Sequence, residues 1–384
     1  MNHKAHTNHK GIRKASCFSW PLWFITSSAG RRDATSVQET GTPRRLAASG
    51  FSLVELLFAT TLLLIVSSVV TSALLQMTNS QKTIWNRTEM HSGIRGATEL
   101  LQQEVGQAGR ISISATVSLT AGVAAAASCD PAAPATNAVT VSVVSKDASG
   151  NVVTTVNGIN PLTNIFATAG ANPSHEVLTT LDGDSTETVT VSSVDPAAST
   201  ITACFTKAHA VGTVLSPMGG FATGVIPDAG LANGSTDTVL KLYGDINSDG
   251  NMVYVEYTCD YAQRNLYRNV MAYDAATKSA VSNSKILLNN IIPNPNSVPC
   301  FKYQRSTITV NGTPFTFVLD VAVTLTVETE QLDPITRQKQ TETKALLNVS
   351  PRNVFNTWSY AGMSYTDRIQ STPATVMALL PPLP

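Results

Sequence analysis

Hydrophobic positions fall into three regimes along the chain. In the first, residues 50–75 read GFSLVELLFATTLLLIVSSVVTSALL, and no charged side chain occurs from Leu56 to Leu75. About 20 such residues at ~1.5 Å rise cover the ~30 Å hydrocarbon core of a bilayer. The Ser and Thr residues within the run can back-bond to helix carbonyls. The pattern predicts a membrane-spanning helix over 51–75. Arg44 and Arg45 lie just upstream and place the N-terminal side in the cytoplasm. Glu55 is the one acid in the run. An ionisable group at the edge of hydrocarbon is costly and marks function by default; the bland alternative is a carboxylate wetted at the interface.

The second regime is helical and amphipathic. Ile94, Ala97, Leu101, Val105 and Ala108 recur at spacings of three and four, which predicts a stripe facing a core. Glu99, Gln103 and Glu104 are read as lying off that stripe. No Pro occurs between Phe51 and Ser128, so one helix is expected over 51–110. Glycines at 93, 96, 106 and 109 weaken its second half.

The third regime alternates with period two. Strands are expected at 138–145 and 152–156 around the turn 147–151, and at 186–194 and 200–206 over Asp195-Pro196-Ala197, with exposed loop elsewhere between 115 and 175. Further strands are expected at 238–243, 252–258, 266–273, 285–291, 301–310, 314–327 and 335–349. The Gly/Pro-rich stretch 216–235 is a loop or a seam, and the PPLP at the C-terminus a tail. A helix followed by antiparallel strands is an α+β layout: a long N-terminal helix packed on a β-sheet domain over 111–384.

Charge changes the picture in one respect. The formal net charge is zero, but residues 1–50 hold eight Lys/Arg and two Asp/Glu, leaving 18 basic and 24 acidic residues beyond them, a net charge near −6. That balance lacks the basic footprint of a nucleic-acid binder, and no nucleic-acid partner is expected. Residues 1–50 read as a basic leader. Cys17–Ile25 is a short apolar run broken by Pro21, a weak secretory-signal alternative. Translation from near Val37 would instead leave a leader ending in PRRLAASG.

Gly50, Phe51, the mostly apolar triplet Ser52-Leu53-Val54, Glu55 and the long apolar helix together resemble the prepilin processing motif of type IV pilins and type II secretion pseudopilins. The resemblance implies cleavage between Gly50 and Phe51 by a prepilin peptidase that also N-methylates Phe51. It implies assembly with other pilins or pseudopilins after residence in the inner membrane, the β-domain being extracytoplasmic. It also implies pairing of the Glu55 carboxylate with the amino terminus of a neighbouring subunit. The strand into Asp245-Ile246-Asn247-Ser248-Asp249-Gly250, the Tyr-rich strand after it, Leu266-Tyr267-Arg268 and Ser350-Pro351-Arg352-Asn353 are similar to the larger minor pilins of the PilW type.

The same Asp245 stretch, ending at Glu256, fits the pattern D-x-[DN]-x-[DN]-G-x5-E. Calcium takes roughly six to eight hard oxygens, and a tight loop aims alternate side chains inward. Asp245, Asn247, Asp249, Asn251 (through its carbonyl) and Glu256 are thus candidate calcium ligands. The flanks alternate like strands rather than helices, so an Asp/Asn/Gly hairpin turn explains the residues equally. Asp182-Gly183-Asp184 is a weaker acidic turn.

Cys129, Cys204, Cys259 and Cys300 follow the leader. In an oxidising compartment an even count implies two disulfides with three possible pairings; sequence proximity favours Cys129–Cys204 and Cys259–Cys300. His91 is expected on the helix surface, and His175 and His209 in exposed polar stretches. The chain contains no G-x-S-x-G elbow, H-E-x-x-H or Walker loop. Three classes are compared: a structural pilin-like subunit, a calcium-tuned adhesin carried on a filament, and a membrane-anchored enzyme. The first is the expectation.

Overall fold

In the computed structural model the described residues are 52–130, 133–165, 177–279, 284–310, 312–365 and 368–382. The leader, Gly50, Phe51 and His175 lie outside them. The chain divides into two units, Met1–Val66 and Ser67–Pro384. The described part of the first unit is Ser52 and the start of α1 (Leu53–Gln107). Every described residue of that unit is exposed. Within the apolar run Thr60 and Thr61 donate to the carbonyl of Leu57 at 3.0 Å, so their hydroxyls are satisfied by the helix itself.

The second unit begins with the rest of α1. Its next strands are β1 (Thr116–Leu119), β2 (Val139–Lys146), β3 (Val177–Leu181), β4 (Glu187–Asp195), β5 (Thr200–Ala203) and β6 (Val214–Pro217). They close into an antiparallel barrel in the order β1-β2-β5-β4-β3-β6. Inward residues alternate along each strand, as a half-buried strand requires: Val117 and Leu119, Val141 and Val143, Val189 and Val191, Ile201 and Ala203 share one core with Leu162 and Phe205. The barrel takes in the expected strands 138–145, 186–194 and 200–206 as β2, β4 and β5, and adds β1, β3 and β6, of which β1 falls in the stretch expected to be exposed loop. The expected strand at 152–156 is absent; Val152 and Val156 make isolated bridges only. Turn 147–151 does form, with Asp147 Oδ1 accepting the backbone N–H groups of Ser149 and Asn151 at 2.9 Å.

After β7 (Gly220–Phe221) come β8 (Val239–Gly244), β9 (Val253–Asp260), β10 (Asn265–Ala272) and β11 (Lys285–Asn289), an antiparallel sheet in the order β11-β10-β9-β8. A second sheet holds β12 (Ile291–Ile292), β13 (Phe301–Val310) and the 16-residue β14 (Thr313–Glu328), with β15 (Thr341–Val349) on the other flank of β14. The second half of α1 shares a single core with both sheets. Ile94, Ala97, Leu101, Val105 and Ala108 meet Leu240, Leu242, Val255 and Tyr257 of one sheet, and Val321, Val323 and Leu325 of the other. The expected stripe is thus the buried face.

Two elements depart from expectation. Residues 335–340 are a loop, because Asp333-Pro334 turns the chain before β15: Asp333 Oδ1 accepts the N–H groups of Ile335 and Thr336 at 2.7 and 3.1 Å. Beyond β15 lie α2 (Arg352–Gly362), β16 (Ile369–Gln370) and α3 (Ala374–Leu379), elements for which the sequence pattern carried no expectation. The side chain of Asn353 in α2 donates to the carbonyl of Gln107 at 3.0 Å, satisfying a free acceptor at the end of α1.

Disulfides join Cys129 to Cys204 and Cys259 to Cys300. The first ties the segment between β1 and β2 to the end of β5. The second ties β9 to the start of β13, bracing the two sheets that cover the helix.

Candidate functional site

Three constellations carry charge in places where physics makes charge expensive. The first is the start of α1. The Ser52 carbonyl accepts the first helical bond, from the N–H of Leu56 at 3.1 Å, so Ser52 is the N-cap. Its Oγ accepts from the N–H of Val54 at 3.3 Å, while Glu55 Oε2 accepts from the N–H of Ser52 at 3.1 Å. This reciprocal arrangement is a capping box, and the signal S-x-x-E was present in the residues. Glu55 is therefore more than a lone acid in an apolar run: its own chain holds it at the helix mouth. Around it Leu53, Val54, Leu56, Leu57 and Phe58 are all exposed. The most apolar window of α1 is 0% buried, so none of the described residues covers it.

The second constellation corrects an expectation. Glu104, read from the sequence as off the stripe, is only 2% exposed. It follows Leu101 by three and Ala97 by seven, the spacing of the buried face. Its carboxylate accepts from Arg268 Nε at 3.1 Å, and from Arg268 Nη2 and Tyr257 Oη in further close bonds. Burial pushes the Tyr257 phenol up, and the adjacent Glu104 carboxylate pushes it further. For Arg268, burial works against the charged form, but the hydrogen bonds and charge of Glu104 outweigh it and the guanidinium is held above its ordinary value. A carboxylate-guanidinium pair with a phenol completing its coordination is the form in which a buried ion pair can hold. Neither Arg268 nor Tyr257 was singled out for this role by sequence reasoning.

The third constellation is the Asp245 loop. Asp245 is fully buried. Its Oδ1 accepts from the N–H of Asp249 at 3.0 Å and its Oδ2 from the N–H of Gly250 at 3.3 Å, with Arg110 Nε 3.8 Å away. Asn247 is exposed, and Asp249 Oδ1 accepts the N–H of Asn251 at 2.9 Å. Glu256 does not join the loop. Its carboxylate faces Tyr254 Oη at 2.9 Å and pairs with Lys278. The calcium set is therefore not assembled. Both Asp245 oxygens are committed to backbone N–H groups, and β9 carries the last candidate, Glu256, away from the loop. Among the described residues, no group of three or more His, Cys, Asp or Glu is placed to hold a metal ion.

The loop instead docks two parts of the second unit. Gly250 has φ +81°, and a Cβ there would lie 2.5 Å from the Ser114 Cα, so only glycine fits both the backbone and the approach. Its carbonyl accepts from Asn164 Nδ2 at 2.8 Å. Asn164 sits in the short 3-10 turn Pro161–Asn164, whose Leu162 fills the barrel core. The Asp/Asn/Gly spelling thus serves a turn that seats the barrel beside β8 and β9.

His209 also departs from expectation. It is buried, with Nδ1 3.2 Å from Asp182 Oδ2 and Nε2 2.7 Å from Glu187 Oε1. The hydrogen bond from His209 holds the Asp182 carboxyl below its usual range. Burial would raise that of Glu187, but hydrogen bonds from Thr206, His209 and the backbone of Lys207 outweigh it and lower it. His91 is exposed as expected and pairs with Glu342.

No protein-family model, curated protein or solved structure matches the chain.

Proposed function

We propose that the chain is a membrane-anchored assembly subunit of the type IV pilin kind, either a minor pilin or a type II secretion pseudopilin. The observation that carries this reading is the bare apolar half of α1, 0% buried, with an acid capping its mouth and Gly50-Phe51 immediately before it in the sequence. A helix of this kind has two possible covers: lipid, or the equivalent helices of other subunits. Stability in each favours a chain that can move from one to the other.

The sequence of events follows from the chemistry. A prepilin peptidase adds water across the Gly50–Phe51 amide, releasing the leader's carboxylate and the Phe51 amine, which the enzyme then N-methylates. The new ammonium and the Glu55 carboxylate are four residues apart in the sequence. In a bilayer each is costly alone. When helices pack in a filament, the carboxylate of one subunit neutralises the ammonium of its neighbour, and a mismatched register leaves both unpaired, which costs several kcal/mol. The pair therefore selects register. The β-rich part faces out of the inner membrane before assembly and lies on the filament surface afterwards. The PilW-type assignment belongs to this proposal and rests on the short sequence matches after Tyr243.

The test is incorporation. Filaments sheared from cells producing the wild-type chain are expected to contain it. Filaments from cells producing Glu55→Ala at equal membrane levels are expected to lack it. Equal incorporation of the two would contradict the reading.

A further inference from the structure

The loop between β14 and β15 carries two exposed aliphatic side chains that nothing in the fold explains. Leu332 is 59% and Ile335 66% exposed. They are not on a floppy strand end. Between them Asp333 is buried, its carboxylate capping the N–H groups of Ile335 and Thr336, and its N–H bonded to the carbonyl of Gln338 at 3.0 Å. The N–H of Arg337 returns to the Asp333 carbonyl at 2.8 Å, and Thr329 and Gln340 close the loop's base. The result is a braced wedge that holds Leu332 and Ile335 in water.

Its place along α1 says what should cover it. Contacts between the helix and the β14–β15 hairpin climb in register: the Asp333 carboxylate, which accepts from the N–H groups of Ile335 and Thr336, lies beside Thr83, Arg87 bonds Gln340, and His91 pairs with Glu342. Among the described residues the wedge, with β11 beside it, is thus part of the first structure met on leaving the apolar run. The span ends at Leu75, Met77 is the last exposed apolar side chain beyond it before Ile84, and Asn79 is the first described helix residue with any cover. At ~1.5 Å per residue Thr83 lies only about 9 Å beyond Met77, next to the headgroup layer that flanks a bilayer core. The same level of the helix carries exposed Lys82, Trp85 and Arg87. An amphipathic indole and long cationic side chains are the chemistry of a membrane-water boundary. Exposed Arg337 on the loop adds another cation, against exposed Glu89 and Glu330.

We propose that the β14–β15 loop is a lipid-contact wedge: before assembly, Leu332 and Ile335 insert among the headgroups and upper acyl chains of the outer leaflet. This rests on the membrane anchoring in the proposed function. It adds a second foothold, which fixes the rotation of the β-rich part about the helix and must be released when the subunit leaves the bilayer.

The test uses the full processed chain in vesicles of phosphatidylethanolamine and phosphatidylglycerol. An environment-sensitive fluorophore is placed on Ile335→Cys and, as a control, on Val211→Cys, an exposed position of the barrel. The label at 335 is expected to emit to the blue and to be quenched several-fold more than the label at 211 by lipids spin-labelled near the headgroup. Equal quenching at the two positions would overturn the wedge. So would a blue shift at 335 that appears only when the protein-to-lipid ratio is raised, since that marks contact with a second copy. A Leu332→Asp/Ile335→Asp chain with unaltered circular dichroism guards against an effect of the label: quenching of Trp85 by brominated lipids should fall, and no change would count against the proposal. Flotation separates the two claims. A chain that fails to float with vesicles refutes the anchoring; one that floats while position 335 stays in water refutes only the wedge.

Discussion

Two acids on one helix, Glu55 and Glu104, have opposite fates. Glu104 is enclosed by Arg268 and Tyr257 from the same chain, so its charge is satisfied once the second unit folds. Among the described residues Glu55 receives only the N–H of Ser52, and it stands among exposed apolar side chains. The first carboxylate finishes a fold. The second has a cap but no countercharge among the described residues. The comparison teaches that a single helix can be locked at one end and left incomplete at the other, and that the incomplete end is where a partner belongs.

The largest expected effect falls on the incomplete end. Glu55→Ala should abolish incorporation into filaments while leaving the near-ultraviolet circular dichroism of the β-rich part unchanged. Ser52→Ala separates capping from pairing. It removes one side of the box, worth about 1 kcal/mol, and keeps the acid, so incorporation should be reduced slightly at most. If Ser52→Ala failed as completely as Glu55→Ala, the acid's role would be helix capping.

The locked end should respond in stability. Glu104→Ala leaves Arg268 buried without its partner and should cost about 3–5 kcal/mol by urea denaturation. Glu104→Leu combined with Arg268→Met should recover much of that loss, because replacing both partners removes the stranded charge. A Glu104→Ala chain as stable as wild type would mean the pair does not close the fold.

A smaller loss, about 1–3 kcal/mol, is expected for Gly250→Ala, where the left-handed backbone and the Ser114 contact both oppose a side chain. Calcium addition or chelation should leave the melting temperature unmoved. A rise that grows with calcium concentration, as mass action requires of a bound ligand, would restore the metal reading of Asp245.

The barrel supplies the pH dependence. Asp182 and Glu187 have depressed folded-state pKa values. Their contribution is present above the unfolded-state values and is lost as pH falls through the folded ones. Amide exchange in the barrel should therefore quicken below about pH 4.5. His209→Ala removes the hydrogen bond that most lowers Asp182 and should flatten that dependence. An unchanged profile in the variant would remove His209 from the account.

Legibility followed periodicity. The stripe Ile94–Ala108 and strands β8, β9, β10, β13 and β14 show in the residues because each buries one face of a regular element. Glu104 was misplaced because its charge was weighed above its spacing from Leu101. The barrel was only half legible: β2, β4 and β5 fall on expected strands, but β1, β3, β6 and the closure do not. The missed strands have only four or five residues each, too few to show an alternation, and closure, not local pattern, buries them. Helix α2 hid behind Ser350-Pro351, although Val354, Thr357 and Ala361, its buried residues, fall on one helical face. The Asp245 loop shows the limit of motif reading: residues that suit a calcium loop also suit a tight turn, and only the direction of Glu256 along β9 separates the two.

The claim that the helix is released by processing and then covered by other subunits is tested most directly at its first residue. Mass spectrometry of the N-terminal peptide from membrane-extracted protein should find a chain that begins at N-methylated Phe51. A mature chain that begins at any other residue would contradict the account.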